Sequence, residues 1–162
     1  MQVIKNKEVI NDDWQLIRDI ETEDTIPDGQ VIVPFEYWQA NREALLKRDT
    51  EHGVMINGDT VTEDLLDDLE HFSVIALDFP AFGDGRSYSH ASLLKQRYDY
   101  KGDLRAVGDV LQDQLFFMQR CGFDSYAIRE DKDIEEALKS LNDFTVRYQT
   151  AADGALPIYK QR

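Results

Sequence analysis

From Gln30 onward, short apolar runs alternate with stretches of helical periodicity, one pair about every 20 to 30 residues, and this rhythm limits the chain to few architectures. Extended runs at Val31–Val33, Val54–Ile56, Val74–Leu77, Leu104–Val107, Ser125–Ile128 and Val146–Gln149 are separated by helical patterns over Phe35–Lys47, Glu63–Glu70, Tyr88–Tyr98, Val110–Cys121 and Ile134–Asn142. Strand, helix and strand in regular succession is the signature of right-handed crossovers between parallel neighbours. The expectation is one α/β domain around a mainly parallel sheet, over 30–162, either open or curled like part of a barrel. Ahead of it, 1–29 reads as a short hairpin, Gln2–Ile4 and Val9–Ile10 around Lys5-Asn6-Lys7, followed by a loose acidic arm.

Two helix starts have the spacing of reciprocal caps, Thr60-Val61-Thr62-Glu63 and Asp109-Val110-Leu111-Gln112. The second helix also has a stop: Gly122 is placed for a left-handed C-terminal cap, and Phe123 can fold back onto the apolar stripe.

Charge narrows the function. The 162 residues carry a formal net charge of −14, which disfavours nucleic acid and anionic membranes as partners. No apolar run approaches the roughly 20 residues of a membrane span and the N-terminus lacks a signal-peptide core, so a cytoplasmic location is expected. Between Asp78 and Arg129, however, seven basic residues balance seven acids. That neutral block is where an anion would be tolerated, and ligands of α/β folds gather at the carboxyl ends of strands.

Inside the block, Asp78-Phe79-Pro80-Ala81-Phe82-Gly83-Asp84-Gly85-Arg86-Ser87 joins a strand to a helix. Gly83 and Gly85 allow a tight turn, backbone amides at the helix start point outward, and Arg86 adds a fork of donors. Tyr88 stands where a dinucleotide loop needs its third glycine, and no Lys-Ser or Lys-Thr pair marks a triphosphate loop. A plain turn capped by Asp84 accounts for the segment equally well. Arg105 sits within a strand expected to be covered on both faces, so it needs a carboxylate or an anion, with Asp78, Asp109 and Asp113 the candidates. The candidate ligand-binding residues are therefore Asp78, Gly83, Asp84, Gly85, Arg86, Ser87, Arg105 and Asp109. Asp78, Asp84 and Asp109 could instead gather around a hard cation such as magnesium, and the sequence names neither a catalytic residue nor a cofactor. Cys121, the single cysteine, lies on an apolar helical stripe and reads as a core residue.

The runs Phe79-Pro80-Ala81-Phe82-Gly83-Asp84-Gly85-Arg86-Ser87-Tyr88-Ser89, Asp103-Leu104-Arg105-Ala106-Val107-Gly108-Asp109-Val110-Leu111-Gln112-Asp113-Gln114 and Met118-Gln119-Arg120-Cys121-Gly122-Phe123-Asp124 resemble the bacterial domain-of-unknown-function 934 family. Its members are labelled probable oxidoreductases involved in sulfite reduction. The resemblance implies a cytoplasmic protein of sulfur assimilation working beside the sulfite reductase system. Two functions compete on this reading: an accessory protein that binds a small anion or an anionic cofactor, and a non-enzymatic docking or assembly module.

Overall fold

A computed structural model describes residues 1–80 and 85–142. Its elements are strands β1 (Gln2–Lys5), β2 (Glu8–Asn11), β3 (Gln15–Leu16) and β4 (Val31–Pro34), helix α1 (Phe35–Leu46), β5 (His52–Ile56), a 3₁₀ helix (Thr62–His71) and β6 (Phe72–Phe79). There follow α2 (Arg86–Ser92), which runs into a π-helical turn (Leu93–Arg97), β7 (Asp103–Gly108), a 3₁₀ turn (Gln112–Gln114), α3 (Leu115–Cys121), β8 (Ser125–Tyr126) and α4 (Ile134–Asn142). This is a single α/β domain with a mostly parallel sheet and an antiparallel pair contributed by the N-terminal hairpin. Asn6 and Lys7, both at positive φ, make the hairpin turn. The run expected as a strand at 146–149 lies outside the described residues.

Strand order is β2-β1-β8-β7-β6-β5-β4-β3. From β3 to β8 each crossover joins immediate neighbours, so the winding never reverses and the helices share one face. The buried residues divide accordingly. Val33, Val54, Ile75, Leu77, Leu104 and Ala106 pack against the helices, whereas Ile32, Val74, Ala76 and Val107 form a second cluster with Trp14. Alternation along β7 puts Asp103 and Arg105 on the Val107 side.

Connectivity requires this second face to be the inside of a curl. β2 and β3 stand seven strand spacings apart, roughly 34 Å at about 4.8 Å each. Yet Asn11 and Gln15 are four residues apart, about 14 Å of fully extended chain at most. The two sheet edges must therefore approach each other. The backbone bonds agree: the Asp12 amide donates to the Met1 carbonyl beside β1, and the Gln15 amide donates to the Gln30 carbonyl beside β4. The sheet is a strongly curled, nearly closed barrel with helices outside, and Trp14 plugs it at Gly53, where an added Cβ would lie 3.1 Å from the indole. This settles the open-or-curled alternative in favour of the curl.

The arm is tied down rather than loose. Beyond β3, Tyr37 Oη donates to Asp24 O (2.6 Å), Asn41 Nδ2 to Thr22 O (3.0 Å), and Arg48 Nη2 to Pro27 O and Gly29 O (both 2.9 Å). The helix expected over Glu63–Glu70 is 3₁₀ instead, and its burial has a period of three: Thr62, Leu65 and Asp68 face inward. Asp68 sits there because Trp38 Nε1 (2.9 Å) and Arg42 Nε (2.8 Å) supply donors. Burial pushes the Asp68 carboxyl up, but those bonds outweigh it and its pKa lies below the ordinary value.

Neither expected cap forms. Thr60 Oγ1 accepts from the Asn57 amide within its own turn. Asp109 is drawn away by Arg129, so the third helix begins later than Val110, with Gln114 Oε1 accepting from the Leu111 amide (3.2 Å). Its end does form as expected: Gly122 is left-handed (φ 110°) and the Phe123 amide donates to Met118 O (3.2 Å), folding Phe123 into the core.

Candidate functional site at the barrel mouth

Asp78 lies at the end of β6 and Asp109 just past β7, a neighbouring strand. Their approach depends on Gly108, which sits at φ +92° with an added Cβ only 2.5 Å from Asp78 Oδ1 and 2.6 Å from Phe79 O. Only glycine adopts this backbone freely and leaves that space. The Asp109 amide then closes onto Phe79 O at 2.7 Å, locking the two strand ends together.

Each carboxylate meets one arginine. Arg18, from the segment after β3, donates through Nη1 to Asp78 Oδ1 (3.0 Å). Arg129, beyond β8, donates through Nη1 to Asp109 Oδ1 (2.8 Å) and through Nε and Nη2 to the two oxygens of Asp131 (2.6 and 2.8 Å). The bonds to Asp131 and Asp109 raise the Arg129 pKa, and Arg129 in turn holds the Asp131 carboxyl below its ordinary value. These groups rim a cavity of about 1030 Å³ whose apolar wall includes Leu16, Phe79, Val107, Ala127 and Ile128. It is the mouth of the barrel at the carboxyl ends of the parallel strands. Asp78 Oδ2, Asp109 Oδ2 and the remaining N–H groups of Arg18 make no bond among the described residues.

Of the residues singled out from sequence, Asp78 and Asp109 line this cavity. Gly83 and Asp84 lie outside the described residues. Gly85 is exposed just before α2, and Arg86 turns to the Asn57–Thr60 turn, where it pairs with Asp59. His90, one turn further along α2, reaches the same region: its ring nitrogens lie 2.6 Å from Thr62 Oγ1 and 3.2 Å from Gly58 O. Ser87 is buried and donates to Asp78 O (2.9 Å), seating α2 on the end of β6.

Arg105 is in the interior, 1% exposed, and its partners are not Asp78, Asp109 or Asp113. Nη2 donates to Asp12 Oδ2 (2.6 Å) and Asp103 Oδ2 (2.8 Å), and Nε to Ser125 Oγ (2.9 Å), which itself donates to Asp103 Oδ1 (2.8 Å). The reason is the curl: Asp12 belongs to the short link between the two sheet edges and arrives beneath β7 only when they meet. Arg105 Nη1 has no partner among the described residues.

The Asp12 carboxyl makes a pH prediction. Burial raises its pKa, but bonds from Arg105 and from the Trp14 amide overcome this and leave it below the ordinary value. A lowered folded value means that the unfolded chain binds the proton more readily, so the stabilisation is complete above the unfolded carboxylate pKa of about 3.9 and is lost as pH falls below it. Denaturant titrations between pH 6 and 3 should show Asp12→Asn less stable than the parent at pH 6, with the gap closing towards pH 3. A constant gap would exclude this linkage.

Two mouth residues, Arg18 and Arg129, escaped the sequence reading. Arg129 had a signal, since it follows a strand run just as Asp78 and Asp109 follow theirs. Arg18 had none, because only the curl carries the segment after β3 over to the end of β6.

A family model described as a bacterial protein of unknown function, DUF934, matches residues 53–159. The chain belongs to the DUF934 family. The matched span of DUF934 contains Asp78, Gly108, Asp109 and Arg129; Asp12 and Arg18 precede it. No curated protein and no solved structure gives a significant match. Among the described residues of this DUF934 chain no helix is long and apolar enough to cross a membrane, and no group of His, Cys, Asp and Glu side chains is arranged to hold a metal ion.

Proposed function

We propose that this DUF934 protein is an accessory protein of bacterial sulfite reduction and sulfur assimilation that binds an anionic ligand at the barrel mouth. Sulfur assimilation is supported by the family resemblance of the Phe79–Ser89, Asp103–Gln114 and Met118–Asp124 runs. The binding site is supported by one observation above the rest: Arg18 is 40% exposed on a large cavity and gives only one N–H to Asp78. Arg86 is a poorer centre for an anion because Asp59 already meets it.

The side-chain charges around the mouth, two arginines against Asp78, Asp109, Glu130 and Asp131, sum to −2. A free small anion is therefore bound weakly, and the anionic group has to belong to a larger ligand that contributes other contacts. Any redox step would be carried by a bound cofactor or a partner, since one cysteine cannot form a dithiol couple within the chain.

Titration calorimetry with sulfite, sulfate, flavin mononucleotide and adenine nucleotides tests the reading. Arg18→Gln is expected to weaken binding about tenfold or more, as loss of a charge-assisted contact does, without lowering the melting temperature. Equal binding by the variant, or no binding by the parent, would overturn it. The docking alternative has its own support in Val61 and Leu66, exposed apolar residues among Glu63, Asp64, Asp67 and Glu70. It predicts a salt-sensitive association with sulfite reductase that is lost when Asp64 and Asp67 become lysine.

A further inference from the structure

Three features of the mouth point to one class of ligand. The wall below the charged rim is apolar, formed by Leu16, Val107, Ala127 and Ile128. Above it, Asp78 and Asp109 are only 15% and 17% exposed, and each has one oxygen committed to an arginine and the other unengaged among the described residues. Beside them Arg18 keeps N–H groups to spare.

Two unengaged carboxylate oxygens, largely withdrawn from solvent, call for donors from a ligand. Asp78 stands opposite Val107 and Asp109 follows two residues on, but Gly108 brings its backbone against Asp78 Oδ1 beside Asp109, so two hydroxyls of one sugar can serve both carboxylates. A carboxylate accepting from ribose hydroxyls at a strand end is a common device of nucleotide recognition. An apolar wall suits a planar base, and Arg18 suits a phosphate. A zwitterionic amino acid would satisfy the charges but leave most of the roughly 1030 Å³ unfilled.

We infer that the mouth is a ribonucleotide site: the vicinal hydroxyls donate to Asp78 and Asp109, the base lies on the Val107–Ala127 side, and the phosphate meets Arg18. This rests on the anionic-ligand reading of the same cavity and adds the chemistry of the ligand to it. Of the four acids around the mouth, Glu130 and Asp131 are exposed on the rim, where solvent and salt screen them, and Asp78 and Asp109 are the two that the ribose hydroxyls engage.

The test uses the full chain and the four ribonucleoside 5′-monophosphates, their 2′-deoxy counterparts, ribose 5-phosphate and inorganic phosphate, titrated by calorimetry. At least one ribonucleotide should bind about tenfold more tightly than its deoxy form, since a hydrogen bond to a charged acceptor is lost. Inorganic phosphate should bind more weakly than either. Asp109→Asn should reduce the preference for ribose while Arg18→Gln weakens ribo and deoxy forms alike, with circular dichroism melts checking that both variants are folded. Ribo and deoxy forms bound equally, with both sensitive to Arg18→Gln, would overturn the ribonucleotide assignment and leave the anion reading standing. No binding of any of these probes would remove the ribonucleotide assignment, and the anion reading falls with it only if sulfite, sulfate and flavin mononucleotide also fail to bind.

Discussion

Arg105→Ala should cost about 3–5 kcal/mol of folding free energy, the usual penalty for removing one partner of a buried ion pair. The guanidinium is 1% exposed and stands between Asp12 and Asp103. Its loss leaves the buried Asp103, 6% exposed, with only the longer 3.5 Å ion pair to Lys5, and releases the link between the sheet edges. Because small domains have only about 5–15 kcal/mol of stability, a large share of the margin would disappear. Urea unfolding of the parent, Arg105→Ala and the triple variant Asp12→Asn, Asp103→Asn, Arg105→Met distinguishes the cause. The triple variant should recover part of the loss, since it removes the uncompensated charges as well as the cation. A single-variant loss below about 1 kcal/mol would mean that the interior ion pair contributes little.

Gly108→Ala should be nearly as damaging, about 2–4 kcal/mol, from left-handed strain together with overpacking. The new methyl would meet Asp78 Oδ1 and the carbonyl of Phe79, and the second cannot swing aside because it accepts the Asp109 amide. Both strand ends must separate, so the variant should lose ligand affinity at the mouth even at low temperature, where it is still folded. Asp78→Ala in the same background relieves only the side-chain half of the clash. If Gly108→Ala melts within a few degrees of the parent and still binds, the close approach of the two strand ends is not essential.

Much of this fold can be read along the chain. The strands around Val31, Val54, Val74 and Leu104 and the helix Ile134–Asn142 follow from local apolar periodicity, which is a short-range property. The misreadings have physical causes of longer range. A 3₁₀ helix replaces the expected pattern at Thr62–His71 because inward burial of Asp68 by Trp38 and Arg42, from another helix, rewards a period of three. Asp109 is no cap because Arg129, 20 residues away, is a stronger partner than its own backbone. For the site, the strand-end rule found Asp78 and Asp109, which are placed by their own strands. It could not find Arg18 or pair Arg105 with Asp12, since those contacts exist only once the sheet has curled.

The pairing of Ile4 in β1 with Tyr126 in β8 sets a timetable for synthesis. The two residues are 122 positions apart, so at about 5–20 residues per second the hairpin waits roughly 6–24 s on the ribosome before its partner strand is made. During that interval Val3 and Ile4, fully buried in the finished protein, have no sheet to join. The nascent chain should therefore remain sensitive to protease at Val3 and Ile4 until β8 has been made, then become protected as that strand arrives beside β1.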